Sequence, residues 1–391
     1  MLRLLAGIVF LGFSANASAE LTPAELLPRI RNQMTDTLAR LPNYTCQETI
    51  QRKVKRPGAA QFEIADLVRL EVSYVGGREL FAWPGSPRFE EKGIQEFVPA
   101  GSIGSGNFGG FARQVFTSGA PVFTWTGQYA RNGRTQVDFA FRVAREASTY
   151  RLNHDGTLAT VAYRGSFSAD AETYDVIDLD VEAENIPPQL EFFQARERIE
   201  YSRSHLSDSD YLLPKTSETT LYETSGEIDQ NHIVFDGCHE YRGESTISFS
   251  DPESGPARNV AAAGPKTLPP GIALHLRTLT PIERGVTAIG DTVSAVIEER
   301  VQKPAIPAGA KSTMRIVRMQ PYQIGNQPGF LIEFQLLSVE TGGQKYDAHG
   351  SLEGAKGPNA SKSDRKGRVA FAGSKPVGAG LRLTWRTTDS R

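Results

Sequence analysis

The chain has 391 residues, 43 Lys+Arg against 45 Asp+Glu, 39% apolar residues and two cysteines. Beyond its first residues no apolar run approaches the roughly 20 residues of a membrane helix, so a transmembrane anchor is excluded. The nearly neutral total conceals two oppositely charged halves: residues 20–254 carry 23 Lys+Arg and 35 Asp+Glu, whereas residues 255–391 carry 19 and 10.

The first 19 residues, "MLRLLAGIVFLGFSANASA", read as a signal peptide. Arg3 is the charged start, Leu4 to Phe13 the short apolar core, and Ala17-Ser18-Ala19 a small-residue cleavage site. Cleavage before Glu20 leaves no cysteine at the new N-terminus, which argues against a lipid anchor. The expected location is periplasmic or secreted. In an oxidising compartment two cysteines predict a bridge, here Cys46–Cys238. Two buried thiols are the alternative, and a catalytic cysteine a third.

"LTPAELLPRIRNQMTDTLARLPNY" predicts a helix. Thr22 is its N-cap, Glu25 completes a capping box, and Leu26, Ile30, Met34 and Leu38 form one apolar stripe. Nearly everything after it alternates with period two. In "IADLVRLEVSY", Asp66 apart, Ile64, Val68, Leu70, Val72 and Tyr74 face one way. "TQVDFAFRVA", "TLATVAYRGSFSAD", "TYDVIDLDVEAE", "ARERIEYSR" and "SETTLYETSG" follow, separated by Asn132-Gly133, Asp155-Gly156, Asp170-Ala171 and Ser207-Asp208. Consecutive strands with short turns make an antiparallel meander.

"GSIGSGNFGGF" contains a formal G-x-G-x-x-G at Gly104, Gly106 and Gly109. A dinucleotide fingerprint needs a βαβ unit around it, which a meander does not supply. Two readings remain. Phe108, Phe111, Val115 and Phe116 form a lid over a ligand, or they simply complete the core. "DVIDLDVEAE" places Asp178, Asp180, Glu182 and Glu184 on one strand face. Calcium wants more converging oxygens than such a row offers. Pairing with Arg196 and Arg198 on the next strand, or contact with the basic half, accounts for it. The six histidines form no metal-ligand spacing, and H-E-x-x-H and G-x-S-x-G are absent. No metal and no cofactor is expected, and the chain reads as a non-enzyme.

One N-terminal helix followed by "YRGSFSADAETYDVIDLDVEAENIP" resembles the half-open barrel of periplasmic lipoprotein carriers and related anti-sigma-factor regulators. The matching residues are Gly165 to Asp170 and Val176 to Leu179. That resemblance implies a curved sheet whose apolar concave face, covered by short helices, binds acyl chains or a polypeptide. Independently of it, a Cys46–Cys238 bridge between first and last strands is expected to lock the ends of such a sheet.

"DPESGPARNVAAAGPKT" (251–267) reads as a linker between an acidic domain, 20–250, and a basic one, 268–391. In the second, "LPPGIALHLR" and "IPAGAKSTMR" share [LI]-P-x-G-x4-[LM]-R, each a tight turn leading into a strand. Ile289-Gly290-Asp291, Phe334 and the Gly342-Gly343 turn complete a small β-barrel or sandwich. This half resembles the small β-domain of conjugal-transfer and type IV secretion core-complex proteins, without their membrane anchor. "GAKGPNASKSDRKGR" (354–368) carries Lys356, Lys362, Arg365, Lys366 and Arg368 in a stretch whose composition predicts disorder. It could touch anionic lipid or glycan, and its lack of aromatics argues against nucleic acid.

The expected fold is mainly β: an N-terminal helix, a curved antiparallel half-barrel sheet, then a second small β-domain. The expected function is an exported envelope protein holding a lipid, acyl chain, lipoprotein or polypeptide, with the basic half docking on the envelope. The alternatives are a scaffold without a small ligand and a hydrolase of unrecognised type. A carrier requires a contiguous apolar pocket of several hundred cubic ångströms on the concave face, and a filled interior favours the scaffold.

Overall fold

The computed structural model describes residues 21–241 and 266–389, apart from 76, 77, 87, 91, 99, 100, 107, 132, 155 and 374. The expected signal peptide and residues 251–265 of the expected linker lie outside the described residues. Helix α1 (Pro23–Arg40) begins as its sequence dictates: the backbone N–H and hydroxyl of Thr22 both donate to Glu25 at 2.9 Å. Leu26, Ile30, Met34 and Leu38 are its buried stripe.

Twelve strands follow: β1 (Tyr44–Lys55), β2 (Glu63–Val75), β3 (Arg78–Ala82), β4 (Val122–Arg131), β5 (Arg134–Val143), β6 (Arg151–His154), β7 (Thr157–Thr160), β8 (Ala162–Asp170), β9 (Val176–Glu184), β10 (Phe192–Leu206), β11 (Ser209–Glu223) and β12 (Ile228–Glu240). Ten of them make one sheet in the order β3-β2-β1-β12-β11-β10-β9-β8-β5-β4, and β6 and β7 form a separate hairpin. The sheet is antiparallel throughout.

Cys46 and Cys238 are bonded. Their strands β1 and β12 are neighbours in the middle of the sheet, and its edges are β3 and β4. The expectation that the bridge locks the sheet's ends is therefore corrected: the meander folds its last strand back beside its first, and the bridge staples that seam.

Helix α1 and the segment from 94 to 117 cover one face. Arg31 of α1 donates to the carbonyls of Phe116 and Ser118 at 3.1 and 2.7 Å. Gln114 fixes the same turn from the other side, donating to Ala147 O and accepting from Thr149 and Tyr163. On the opposite face the carboxylate row is neutralised within its own sheet. Arg198 bonds Asp178 and Asp180, Arg196 and Arg164 approach Glu182, and Arg142 bonds Glu184. Cross-strand pairing explains the row, and contact with the basic half lies elsewhere.

A second ten-stranded sheet, from Lys266–Thr267 to Arg382–Thr387, is curled into a half-barrel. Phe330, Phe334, Phe371 and Trp385 fill it. Lys266 and Thr267, read as linker, already pair with Tyr346 and Asp347. Gly271 and Gly309 of the two matching turns both hold left-handed backbone, at φ +87° and +86°, and each precedes a strand. The basic stretch is ordered, contrary to its composition. It lies in strands Gly350–Lys356, Ala360–Ser363 and Arg368–Ala372, the last of which joins the sheet through Gln327–Thr341. Pairing with an apolar strand overrides local composition there.

The two sheets meet at β2. Strand β3 pairs only with Glu71 to Val75, so β2 is an open edge at Leu67–Arg69. Ile289 closes it, donating to Leu67 O and accepting from the Arg69 N–H, both at 2.7 Å. Asp291 accepts from Arg69, and Arg315 donates to Pro84 O at 3.0 Å with its guanidinium over the Trp83 ring. At the Arg69–Asp291 pair the acidic half supplies the cation, against the bulk charge asymmetry.

Candidate functional site

Residues directly opposite one another in an antiparallel pair share a face, and successive residues alternate. Applied to the registers, this puts Glu197, Thr219, Asn231, Arg52 and Asp66 in one straight row across β10, β11, β12, β1 and β2. The row lies on the covered inner face, and each member is less than a tenth exposed. The row beside it is Ile199, Ser217, Ile233, Ile50 and Val68, apolar except for Ser217. A polar belt therefore crosses an otherwise apolar face.

Part of the belt is satisfied. Arg52 and Asp66 form a two-pronged pair, Nε–Oδ1 2.7 Å and Nη2–Oδ2 2.5 Å, and Ser217 donates to Glu197 at 3.3 Å. The Thr219 hydroxyl and both amide atoms of Asn231 have no protein partner. Glu48, on β1 between Cys46 and Ile50, is fully buried with neither oxygen bonded. Burial, then the Glu79 charge, pushes its carboxyl well above the usual range.

The Gly-rich stretch is a strap laid on this face. A Cβ added to Gly104 would lie 2.9 Å from the Thr219 hydroxyl, and one on Gly106 2.7 Å from the Phe235 ring. Glycine is required because the strap lies almost in contact with the sheet. Glu79 on β3 holds the strap, accepting from the Ser105 side chain and the backbone N–H groups of Phe108 and Gly109. Burial raises its carboxyl to about 7, against the pull of those three bonds.

The four expected lid residues are all buried, Phe108 in one core cluster and Phe111, Val115 and Phe116 in another. Phe108 packs on Tyr44 and Phe235 at 4.9 and 4.8 Å. Phe111 packs on Tyr150 at 5.0 Å, and Phe116 on Phe167 at 5.0 Å. Val115 joins Phe111 and Phe116 in a second cluster with α1. The segment does cover the inner face, and the rings of Phe108, Phe111 and Phe116 fill much of it.

Two cavities flank the strap. One, about 590 Å³, has Phe81, Ile94, Phe111 and Leu152 in its walls, Arg78, Lys92 and Arg151 as its cations, and Glu79, Tyr150 and Glu197 as its inner polar groups. Burial, then the Glu197 charge, pushes the Tyr150 hydroxyl well up, so it acts as a neutral donor. The other, about 670 Å³, is lined by Arg52, Asp66, Asp229, Asn231 and, from the second sheet, Arg284 and Gln320.

Of the basic stretch, Lys356, Lys362, Arg365 and Lys366 are exposed, whereas Arg368 is held by Asp364. Sequence reading missed the inner-face acids, although their signal was present. Glu48, Glu197 and Asn231 fall in phase with apolar neighbours two residues away, where a solvated strand face would not put them.

No protein-family model matches the chain, and no curated protein is detectably similar. Among solved structures, a DUF1329 family protein from Desulfovibrio piger is similar at a TM-score of 0.31 with 11% identity, over 58% of this chain and 96% of that one. A putative outer membrane lipoprotein-sorting protein domain from Vibrio parahaemolyticus is similar at a TM-score of 0.30 with 10% identity, over 57% and 95%. Among the described residues no helix is long and apolar enough to cross a membrane.

Proposed function

We propose that the chain is an exported, non-enzymatic envelope protein that holds an amphipathic ligand between the inner face of the first sheet and its covering segment. The observation that carries this is the cleft of about 590 Å³, with apolar walls and Glu79, Tyr150 and Glu197 inside it. A bare acyl chain there would match the apolar walls alone and offer nothing to the charged and hydroxyl groups of the lining. A polypeptide segment with apolar side chains and one amine meets both kinds of surface. Among acyl chain, lipoprotein and polypeptide, the cleft fits the polypeptide best. Lys356, Lys362, Arg365 and Lys366 dock the second sheet on anionic lipid or glycan in this reading.

The test is fluorescence anisotropy with a labelled amphipathic peptide bearing one lysine, beside a labelled fatty acid. Peptide binding that Glu197→Gln weakens supports the reading. Tight fatty-acid binding with none for the peptide replaces it by an acyl carrier. Binding of neither favours a scaffold, the alternative that the filled interior around Phe108 and Phe116 supports.

A further inference from the structure

We infer that the second cavity holds a calcium site, built by Glu223, Glu227 and Asp229 with the side-chain amide of Asn231. The three carboxylates sit where β11 turns into β12, and one oxygen of each lies within 4.8 Å of the others. Calcium accepts an irregular cage of side-chain oxygens, whereas magnesium holds to a near-octahedral shell and keeps several waters, so a site built from side chains on one turn and one strand suits calcium.

An acidic turn alone would mean little. The second observation is Asn231, 1% exposed, whose amide oxygen and nitrogen both lack a protein partner. It lies two residues beyond Asp229 on the same strand, hence on the same face, and lines the same cavity as all three carboxylates. A buried amide left unbonded costs about 1–3 kcal/mol, and a cation beside it accepts the oxygen's lone pairs.

Four cations share the cavity lining with the carboxylates. Arg52 is engaged by Asp66, and Arg56 by Glu63; Lys53 and Arg284 complete the cationic lining. Asp229 accepts from the Ser102 hydroxyl, and Glu223 from Ser225 at 3.0 Å, each through one oxygen. The donors are all oxygen, with no imidazole or thiolate, which selects a hard cation over zinc or copper. Partial exposure and few ligands place the affinity in the range of extracellular modules, roughly 10⁻⁴–10⁻³ M.

The experiment is calorimetric titration and thermal unfolding of the oxidised mature chain with calcium chloride, and separately with magnesium chloride. One calcium per chain should bind and raise Tm. Glu227→Gln and Asp229→Asn should weaken binding tenfold or more, and Asn231→Ala should weaken it as well. Asp180→Asn, on the outer face, is the control and should bind as the parent does, and near-UV circular dichroism confirms that each variant is folded. Absence of calcium binding at millimolar concentration overturns the site. Equal binding by folded Asp229→Asn, or a preference for magnesium, overturns the assignment.

Discussion

The backbone N–H of Ile289 bonds to the carbonyl of Leu67 at 2.7 Å, and through that contact the second sheet closes the open edge of the first. The bond needs the next residue out of the way. Gly290 has φ +103°, and a Cβ there would fall 2.1 Å from the carbonyl oxygen of Arg69. Gly290→Ala should therefore destabilise the chain by about 2–3 kcal/mol through strain. Denaturant unfolding should show the loss. Gly309→Ala, with φ +86° and open space around it, tests backbone strain without the close contact and should cost less.

Reduction, or the paired Cys46→Ala and Cys238→Ala variant, should cost about 2–5 kcal/mol. The bridge joins residues 192 apart in sequence, so most of the loss is freedom regained by the unfolded chain. The sheet order should survive, because β1 and β12 are also joined by backbone pairing from Tyr44 to Lys55. Far-UV circular dichroism of the reduced protein at low temperature should match the oxidised form while its Tm falls.

Stability should decline as pH rises through neutrality. Burial raises the Glu79 carboxyl from 4.5 to about 7, so between those values the folded state binds protons that the unfolded state has lost. Its contribution is complete below about pH 4.5 and is lost as pH passes 7. Glu48 acts in the same direction, since burial pushes its carboxyl up as well. In Glu79→Gln the fall in Tm between acidic and mildly alkaline buffer should shrink relative to the parent. An unchanged slope would show that Glu79 titrates as an ordinary surface acid.

Glu48→Met should stabilise the protein by about 1–3 kcal/mol, because the carboxyl it removes is buried and unbonded. The shape is nearly conserved and no partner is orphaned. A gain in stability accompanied by weaker ligand binding would mark Glu48 as retained for binding at the expense of the fold.

Much of the architecture was legible along the chain because alternation is a local signal. The stripe of Leu26, Ile30, Met34 and Leu38, the strands either side of Asp170, and the left-handed turns at Gly271 and Gly309 all follow from neighbours in sequence. Strand order did not. That β12 lies beside β1 depends on pairings across the whole first sheet, and no local pattern encodes it. The belt of Glu197, Thr219, Asn231, Arg52 and Asp66 was hidden for the same reason. Its members look like isolated exceptions until register aligns them. The basic stretch misled in the opposite sense: Lys362 and Arg368 sit in strands because Val369 and Phe371 anchor their hairpin on Gln327–Thr341.

The placement of β1 between β2 and β12 sets an order of events. A chain made from its N-terminus presents Tyr44–Lys55 long before Ile228–Glu240 exists, so this interior strand waits with one side unpaired while about 170 residues emerge. Until then that side can recruit the wrong strand or a neighbouring molecule. Formation of the thiol cross-link at this seam is thus a chemical record that the last strand has arrived.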